Sequence, residues 1–195
     1  IKLMIRIGVV GDIGSGKSHV AKLFGFPVFN ADNEVAELYK KDRKCYVKLK
    51  KVIPSYINSF PIKKNELANA ILSNKSNLKK IVKIIHPVIR KKMHIFIKKN
   101  KNKKIIVLDI PLLLENKINR KNDIIIFIDA NKKQIKKKLS KRKNFNLKIV
   151  KKLKKFQLSL ETKRRNSDFV IKNNFKNNST KKNVKIVLKK ILTNA

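Results

Sequence analysis

The sequence predicts an α/β protein with a parallel five-stranded sheet that is covered by helices on both faces. Short, continuous apolar runs alternate with helical patterns along the chain, which is typical of parallel strands buried on both sides. The length of 195 residues suits one domain with a single core. A glycine-rich segment ending in Lys-Ser stands between the first apolar run and the first helical pattern, as expected of a phosphate-binding strand, loop and helix.

Each predicted strand is a short apolar run. The five runs are Ile5–Val10, Phe26–Phe29, Ile105–Asp109, Ile124–Ile128 and Phe169–Ile171. Helical patterns are found near residues 17–24, 31–41, 43–52, 65–73, 75–99, 131–141, 146–165 and 180–192. The last pattern is amphipathic, with apolar residues at 184, 187, 188, 191 and 192, so this helix is expected to pack on the sheet.

Two stretches are not expected to belong to the sheet. Residues 40 to about 99 are helix-rich without a convincing strand, and this excursion is too long for a simple crossover. Residues 139–166 are very basic and also lack a strand, which suits a mobile helical lid closing on phosphates. The sequence therefore predicts a single domain, 1–195, whose core comprises 1–39, 103–138 and 167–195. A helical lobe is predicted at about 40–102 and the lid at about 139–166.

The segment Gly11–Ser18 matches the phosphate-binding pattern G-x-x-x-x-G-K-[ST] at every fixed position. Glycines let the backbone wrap so that its N–H groups point inward, and the following helix adds the positive end of its dipole. Lys17 is then expected to reach the β- and γ-phosphates, and the Ser18 hydroxyl to bind Mg²⁺. The alternative is an ordinary glycine-rich turn, but such a turn has no need for a Lys-Ser pair after its last glycine.

The net charge of +39 would ordinarily suggest a nucleic acid or an anionic membrane as a partner. Only seven of the 51 Lys and Arg residues are arginine, however, and the lysines are scattered through every helix and loop beside abundant Asn and Ile. These three residue types share A/T-rich codons, so base composition is a sufficient cause. A selected RNA or DNA site more often shows clustered Arg and exposed aromatic residues. No specific nucleic-acid partner is therefore expected.

The sequence also argues against a membrane protein. No run approaches the roughly 20 apolar residues of a membrane span, and the N-terminus lacks a long apolar signal region. Cys45 is the single cysteine, so no intrachain disulfide forms, which fits a reducing compartment. We expect a soluble, cytoplasmic protein, and the sequence leaves its oligomeric state open.

Two aspartates lie at the ends of predicted strands, at the edge where parallel sheets bind their ligands. Asp32 is placed to accept a proton from an attacking hydroxyl or to hold the magnesium shell, but it is equally well explained as a helix N-cap. Asp109 ends a buried strand, a position where proteins with this loop place a second acidic group for magnesium. Turn formation is the simpler alternative for Asp109.

Other candidates lie in the lobe, after the third strand and in the lid. Pro87 is expected to bend the long helical pattern or to begin a new helix, which places His86 at a break and Arg90 one turn onward. An arginine in a chain that otherwise uses lysine suggests bidentate anion recognition at 90. Glu115 follows a very apolar stretch and is expected to be a buried, paired carboxylate.

Among the lid arginines, Arg142 and Arg164 are preferred candidates for neutralising a transferred phosphoryl group. A structural histidine and solvated surface arginines are the alternatives for these lobe and lid residues.

Five segments together resemble the dephospho-CoA kinase family in order and spacing, from about residue 4 to residue 192. They are Gly-Asp-Ile-Gly-Ser-Gly-Lys-Ser at 11–18, Asn-Ala-Asp at 30–32, His-Pro-Val-Ile-Arg at 86–90, Ile-Pro-Leu-Leu-Leu-Glu at 110–115 and Asp-Phe-Val-Ile-Lys-Asn at 168–173. The resemblance implies a three-layer P-loop kinase with an inserted helical substrate lobe and a helical lid. It also implies ATP-dependent phosphorylation of the ribose 3′-hydroxyl of dephospho-CoA, with Mg²⁺, giving coenzyme A and ADP.

The resemblance assigns roles to individual residues. Asp32 matches the catalytic base, which acts with Lys17 and Arg142, and Arg142 and Arg164 match lid arginines. Asp32, His86, Arg90 and Glu115 are expected on the acceptor side, and Ser18 and Asp109 at the metal. Contacts with ATP are expected from Gly11, Gly14, Ser15, Gly16, Lys17, Ser18 and His19.

The chain departs from the family pattern at two positions near the loop. Asn30 replaces the first aspartate of the Asp-Ala-Asp motif, and His19 stands where threonine is usual. Two other functions fit part of the pattern: a P-loop kinase of another small acceptor, such as a nucleoside monophosphate or a sugar acid, and a P-loop ATPase that binds nucleic acid. The segment from His86 to Arg90 speaks against the first.

Overall fold

The computed structural model describes residues 4–142 and 145–193. Five strands form one sheet in the order β2-β3-β1-β4-β5, and all four pairings are parallel. The strands are β1 (Ile5–Gly11), β2 (Val28–Asn30), β3 (Ile105–Asp109), β4 (Ile124–Asp129) and β5 (Phe169–Lys172). All five predicted strands are thus confirmed, and the central strand β1 is the one that leads into the glycine-rich loop.

Nine helices are found in the described part of the chain. They are α1 (Lys17–Leu23), α2 (Ala31–Lys41), α3 (Arg43–Val52), α4 (Lys64–Ser73), α5 (Lys75–Lys99), α6 (Lys132–Ser140), α7 (Leu147–Lys154), α8 (Leu160–Arg165) and α9 (Asn177–Thr193). Across the described residues, no helix combines the length and the apolar character needed to cross a lipid bilayer.

The sheet is the middle of three layers because successive side chains of a strand point to opposite faces. Ile7 and Val9 of β1 join a buried cluster with residues of α1 and α9, including Val20 and Val184. Gly8 faces the other way, where an added Cβ would overlap the side chain of Leu113. Helix α8 contacts β1 as well. The fold class predicted from the sequence is therefore confirmed.

The chain divides into two compact units. The first takes its residues from Ile1–Asn30, Asn100–Asn146 and Leu153–Ala195, and the second from Ala31–Lys99 and Leu147–Lys152. The first unit contains the whole sheet and the loop Gly11–Ser18. The predicted boundaries of core, lobe and lid describe functional parts, and that division remains a proposal.

The second unit is organised along α5. Ile81, Ile85, Ile89 and Met93 are buried at intervals of four residues, so they form one apolar stripe along this helix. The helix continues through Pro87, and the alternative that a new helix begins there is wrong. Lys152 donates hydrogen bonds from Nζ to the carbonyls of Ile71 (2.8 Å) and Leu72 (2.7 Å), which lie in the last turn of α4.

The prediction of a single helix near 146–165 is wrong, because α7 ends at Lys154 and α8 begins only at Leu160. Ser159 caps α8 by accepting the N–H of Thr162 at 3.0 Å. One residue earlier, the Leu158 N–H donates to Glu115 Oε1 at 3.0 Å. The N–H of Leu158 is therefore satisfied by a carboxylate distant in sequence and not by a helical carbonyl, and no local pattern in 146–165 reveals this contact.

Candidate active site

The loop Gly11–Ser18 connects β1 to α1 and has the backbone geometry of an anion cradle. Gly14 (φ 84°) and Gly16 (φ 88°) adopt left-handed conformations that side chains disfavour. A Cβ on Gly14 would lie 2.8 Å from Leu139 Cγ, and one on Gly16 would overlap the amide of Asn173. Both glycines are therefore required by conformation and by space, and the chain passes from Gly16 directly into the N-terminus of α1.

Lys17 lies across this loop. Its Nζ donates to the carbonyl of Asp12 at 2.8 Å and is 3.4 Å from the carbonyl of Gly11. The Ser15 N–H donates to the same Asp12 carbonyl at 3.1 Å, which closes the turn. The loop thus brings an ammonium group and a helix N-terminus together, and both favour a polyanion.

Asn173, directly after β5, connects the loop to the rest of the first unit and is 2% exposed. Its Nδ2 donates to the Ser15 carbonyl at 2.8 Å. Its Oδ1 accepts the N–H of Phe175 at 3.0 Å and the hydroxyl of Thr180 at 2.9 Å. The two halves of one amide therefore fix the loop to the start of α9.

Three polar side chains meet where β2 and β3 end. Asn30 and Asp109 are register partners in these strands. Asn30 Nδ2 donates to Asp109 Oδ2 and, at 3.2 Å, to the hydroxyl oxygen of Ser18. Asp109 is 3% exposed. The structure thus brings together the two residues that the sequence predicts at the metal, Ser18 and Asp109, and connects them through Asn30.

An ion pair connects the loop to α7. Lys154 Nζ is 3.0 Å from Asp12 Oδ2, with the lysine side chain half exposed and the aspartate largely buried. Asp12 Oδ1 accepts the N–H of Ile13 at 2.7 Å. The Asp12 carboxylate therefore binds both the backbone of the loop and a lysine of the predicted lid.

Glu115 is a buried, paired carboxylate, as predicted. Its Oε1 is 2.9 Å from Lys163 Nζ, and both side chains are at least nine-tenths buried. Lys163 also donates to Gln157 Oε1 at 3.1 Å. The adjacent Arg164 is exposed and contacts Asp129 at 3.4 Å. Arg142 is exposed too, after the end of α6.

The remaining predicted residues are surface or half-buried groups. Asp32 is exposed in the first turn of α2, which begins at Ala31, so its interpretation as the N-cap is wrong. His19 is exposed on α1. His86 is half-buried on α5 and Arg90 follows one turn later, exposed. Burial lowers the pKa of His86 below 6.5, and the nearby positive charge of Arg90 lowers this pKa further.

Sequence reasoning assigned no role to Asn173, Lys154 or Lys163. Asn173 lies two residues after the predicted strand Phe169–Ile171. This position was the available signal, since ligand sites of parallel sheets lie at that edge. Lys154 and Lys163 could not be singled out from the sequence, because the chain contains so many other lysines.

A parallel sheet whose central strand leads through a glycine-rich loop into a helix, with Lys17 and Ser18 at the start of that helix, defines a P-loop nucleotide-binding protein. The family model described as dephospho-CoA kinase matches residues 5–179. The dephospho-CoA kinase of Wolbachia sp. subsp. Brugia malayi is 36% identical over 170 residues, covering 85% of this chain and 87% of that protein. The chain belongs to the dephospho-CoA kinase family, and it is a kinase.

Solved structures support the fold. The crystal structure of TT1252 from Thermus thermophilus matches this chain with a TM-score of 0.76 at 25% identity. The match covers 97% of this chain and 98% of that structure's chain. Dephospho-CoA kinase from Campylobacter jejuni has a TM-score of 0.63 at 22% identity, with coverages of 95% and 96%, and supports the fold alone.

Proposed function

We propose that the protein transfers the γ-phosphoryl group of ATP to the ribose 3′-hydroxyl of dephospho-CoA, giving coenzyme A and ADP in the last step of coenzyme A synthesis. The observation that carries this proposal is the loop Gly11–Ser18 with Lys17 folded across it, in a chain whose family is defined by that reaction. We also propose a cytoplasmic location, which suits a reaction between two soluble metabolites.

The triphosphate is held by the loop. Backbone N–H groups of this segment surround the β-phosphate, and Lys17 exchanges the Asp12 carbonyl for phosphate oxygens. Ser15 Oγ is buried without a hydrogen-bond partner among the described residues, which supports a ligand oxygen as its missing partner. The proposed ATP contacts are Gly11, Gly14, Ser15, Gly16, Lys17, Ser18 and His19.

Ser18 and Asp109 are the proposed Mg²⁺ residues. A hydroxyl and a carboxylate oxygen are the hard donors that Mg²⁺ prefers, and few protein ligands are needed when phosphates and water supply the rest. Both donors contact the same Asn30 amide, so the residues present fit the ion. When bound, Mg²⁺ neutralises charge that develops on the phosphate oxygens.

Asp32 is the proposed general base. A carboxylate accepts the proton of the attacking hydroxyl, and its exposed position in the first turn of α2 leaves it accessible to an acceptor. We assign His86 and Arg90 to the acceptor as well. Their spacing of one helical turn presents an imidazole and a guanidinium to the same ligand, and Arg90 supplies a bidentate donor for a phosphate.

Arg142 and Arg164 are the proposed lid arginines, which stabilise charge on the transferred phosphoryl group together with Lys17. Glu115 is proposed as a substrate-binding residue on the acceptor side, as the family resemblance implies, and it also has a structural role in the lid. Its buried pairing with Lys163 and its bond to the Leu158 N–H hold the segment that leads into α8 and Arg164. We retain the functional division into a core, a helical acceptor lobe at about 40–102 and a lid at about 139–166.

The test is an ADP-release assay with purified protein, ATP and Mg²⁺ across a panel of acceptors: dephospho-CoA, nucleoside monophosphates, sugar acids and RNA. Release is expected with dephospho-CoA alone, and ³¹P NMR of the product should show a new ribose 3′-phosphate monoester. A Lys17→Ala variant serves as the inactive control. Turnover with another panel member and none with dephospho-CoA would assign this kinase to that acceptor instead.

A further inference from the structure

Asn30 occupies a position that decides the charge of the proposed metal site. Its amide bridges Ser18 and Asp109, and Asn30 faces Asp109 as a register partner across neighbouring strands. An ionised carboxylate only accepts hydrogen bonds, so the part of the Asn30 amide that faces Asp109 must be its NH₂ group. One of the two hydrogens of this group serves the carboxylate and the other the hydroxyl oxygen.

The isosteric alternative at this position is aspartate. Its carboxylate would face that of Asp109 directly. Asp109 is buried and position 30 is half-buried, so two negative groups at contact distance there repel each other unless a cation lies between them. Asn30 removes that repulsion and replaces it with a donated hydrogen bond. The hydroxyl and the carboxylate that bind the ion are then held together whether or not an ion is present.

We propose that Asn30 is a positioning residue that preassembles Ser18 and Asp109 without a metal, and that it thereby makes Mg²⁺ binding dependent on the nucleotide. This inference rests on the proposed function, since it takes Ser18 and Asp109 as the Mg²⁺ residues. With one carboxylate in the pair, the protein alone offers the ion too little charge. The phosphate oxygens of ATP complete the site, as is usual for Mg²⁺ in kinases.

The experiment measures thermal unfolding of the nucleotide-free protein in EDTA and in excess MgCl₂. The wild-type Tm is expected to be the same in both. Asn30→Asp is expected to lower the Tm in EDTA by roughly 3–8 °C, since a chain of this size loses about 2–4 °C per kcal/mol. Excess Mg²⁺ should restore most of that loss. Titration of the nucleotide-free variant with Mn²⁺, followed by EPR, should show one bound ion where the wild type shows none.

Three further variants separate charge from hydrogen bonding. Asn30→Ala removes both hydrogen bonds without adding charge, so its Tm should fall without any response to Mg²⁺. Asn69→Asp adds the same charge on an exposed face of α4 and should leave the Tm and the Mg²⁺ response unchanged. The third is a double variant, Asn30→Asp with Asp109→Asn, called the exchanged pair, in which one amide again faces one carboxylate. It should recover at least half of the Tm lost by Asn30→Asp, and should lose the Mg²⁺ response.

The exchanged pair keeps the proposal testable if Asn30→Asp alone does not fold. The proposal is overturned if Asn30→Asp has the wild-type Tm in EDTA, if Asn30→Ala gains the same Mg²⁺ response, or if the exchanged pair stays as unstable as the single variant. All of these readouts are made without ATP or an acceptor. Failure to phosphorylate dephospho-CoA would therefore refute the proposed function. The role of Asn30 would still be decided by the Tm and Mn²⁺ measurements.

Discussion

Asn173 donates a 2.8 Å hydrogen bond to the carbonyl of Ser15, and this contact joins residues 158 positions apart in the sequence. The same amide accepts a hydrogen bond from the Phe175 N–H, just before the last helix, and one from the Thr180 hydroxyl in the first turn of that helix. The phosphate-binding loop is therefore held from outside as well as by its own glycines. The shape of the loop therefore depends on Asn173, which lies outside the loop and contacts its backbone.

The first prediction concerns Asn173→Ala. Removing this amide leaves buried groups unpaired at a cost of about 1–3 kcal/mol, and it loosens the loop around the triphosphate. We expect a lower Tm and an ATP KM that rises about tenfold, with a smaller change in kcat. Steady-state kinetics and thermal unfolding measure both effects.

Asn183→Ala is the matched control for Asn173→Ala, because the Asn183 amide donates a similar bond (2.9 Å) to the Lys172 carbonyl at the exposed surface. It should leave the KM for ATP unchanged. An equal rise in KM for both variants would mean that Asn173 has no special role at the loop.

The second prediction concerns the buried pair of Lys163 and Glu115. Lys163→Met leaves the Glu115 carboxylate buried without its cation, and breaking a buried pair in this way costs about 3–5 kcal/mol. Urea unfolding measures this loss. Adding Glu115→Gln removes the stranded charge, so the double variant should recover a large part of the stability.

Lys151→Met is the control for Lys163→Met, since Lys151 is exposed on α7, and surface substitutions usually change stability by about 0.5 kcal/mol or less. If Lys163→Met were as stable as Lys151→Met, the pair would not hold the segment before α8.

The third prediction concerns the partly exposed pair of Lys154 and Asp12. Lys154 is 48% exposed in its side chain, so the pair is expected to contribute about 0.2–1 kcal/mol and to weaken as salt screens it. A double-mutant cycle of Asp12→Ala and Lys154→Ala at low salt should give this coupling energy. At high salt the coupling energy should be smaller, and a salt-independent value would contradict an electrostatic contact that solvent reaches from the lysine side.

The sheet and the phosphate-binding loop could be predicted from the sequence because their signals are local. β3 is found with the predicted bounds, Ile105–Asp109, since a continuous apolar run fills a strand buried on both faces. The loop lies within eight consecutive residues, so its chemistry can be recognised without knowing the fold.

What the sequence could not predict depends on distant contacts. The break between α7 and α8 is stabilised by Glu115 accepting the Leu158 N–H, across 43 positions. Asp32 gave a different difficulty. The sequence predicts a helical pattern near 31–41 but leaves Asp32 open as an N-cap, and the structure decides between the two because α2 begins at Ala31. Lys163 shares its residue type with dozens of solvated neighbours, and only its 1% exposure distinguishes it.

The fourth prediction concerns the pH dependence that His86 causes. Its pKa in the folded protein is lowered from 6.5 by burial and by Arg90, so below pH 6.5 the unfolded chain binds a proton that the folded chain resists. This contribution to stability is fully present above pH 6.5 and is lost as the pH falls through the lowered pKa. His86→Gln should therefore reduce the loss of Tm between about pH 7.5 and pH 5.

His94→Gln is the matched control for His86→Gln, because His94 is exposed on the same helix. It should keep the wild-type pH profile. A His86→Gln profile parallel to that of the wild type would show that His86 titrates alike in the folded and unfolded chains.

The fifth prediction tests the proposed general base. Asp32→Asn keeps the size and polarity of the side chain but cannot take a proton, while the loop that holds the phosphates is untouched. We expect kcat to fall by about 10²–10⁴-fold, the usual contribution of general acid–base catalysis, and the ATP dissociation constant to change less than twofold.

Glu37→Gln separates that chemistry from a general loss of charge on α2, since Glu37 is another carboxylate of this helix and pairs only with Lys41 among the ion pairs of the described residues. Its kcat should stay at the wild-type value. Since we propose Asp32 for proton transfer and Lys17 for phosphate binding, the Asp32→Asn and Lys17→Ala variants should also fail differently. Lys17→Ala is expected to weaken ATP binding, whereas Asp32→Asn should still bind ATP and dephospho-CoA and turn them over slowly. Weak ATP binding with a normal kcat in Asp32→Asn would remove this aspartate from the chemistry and place it with the nucleotide.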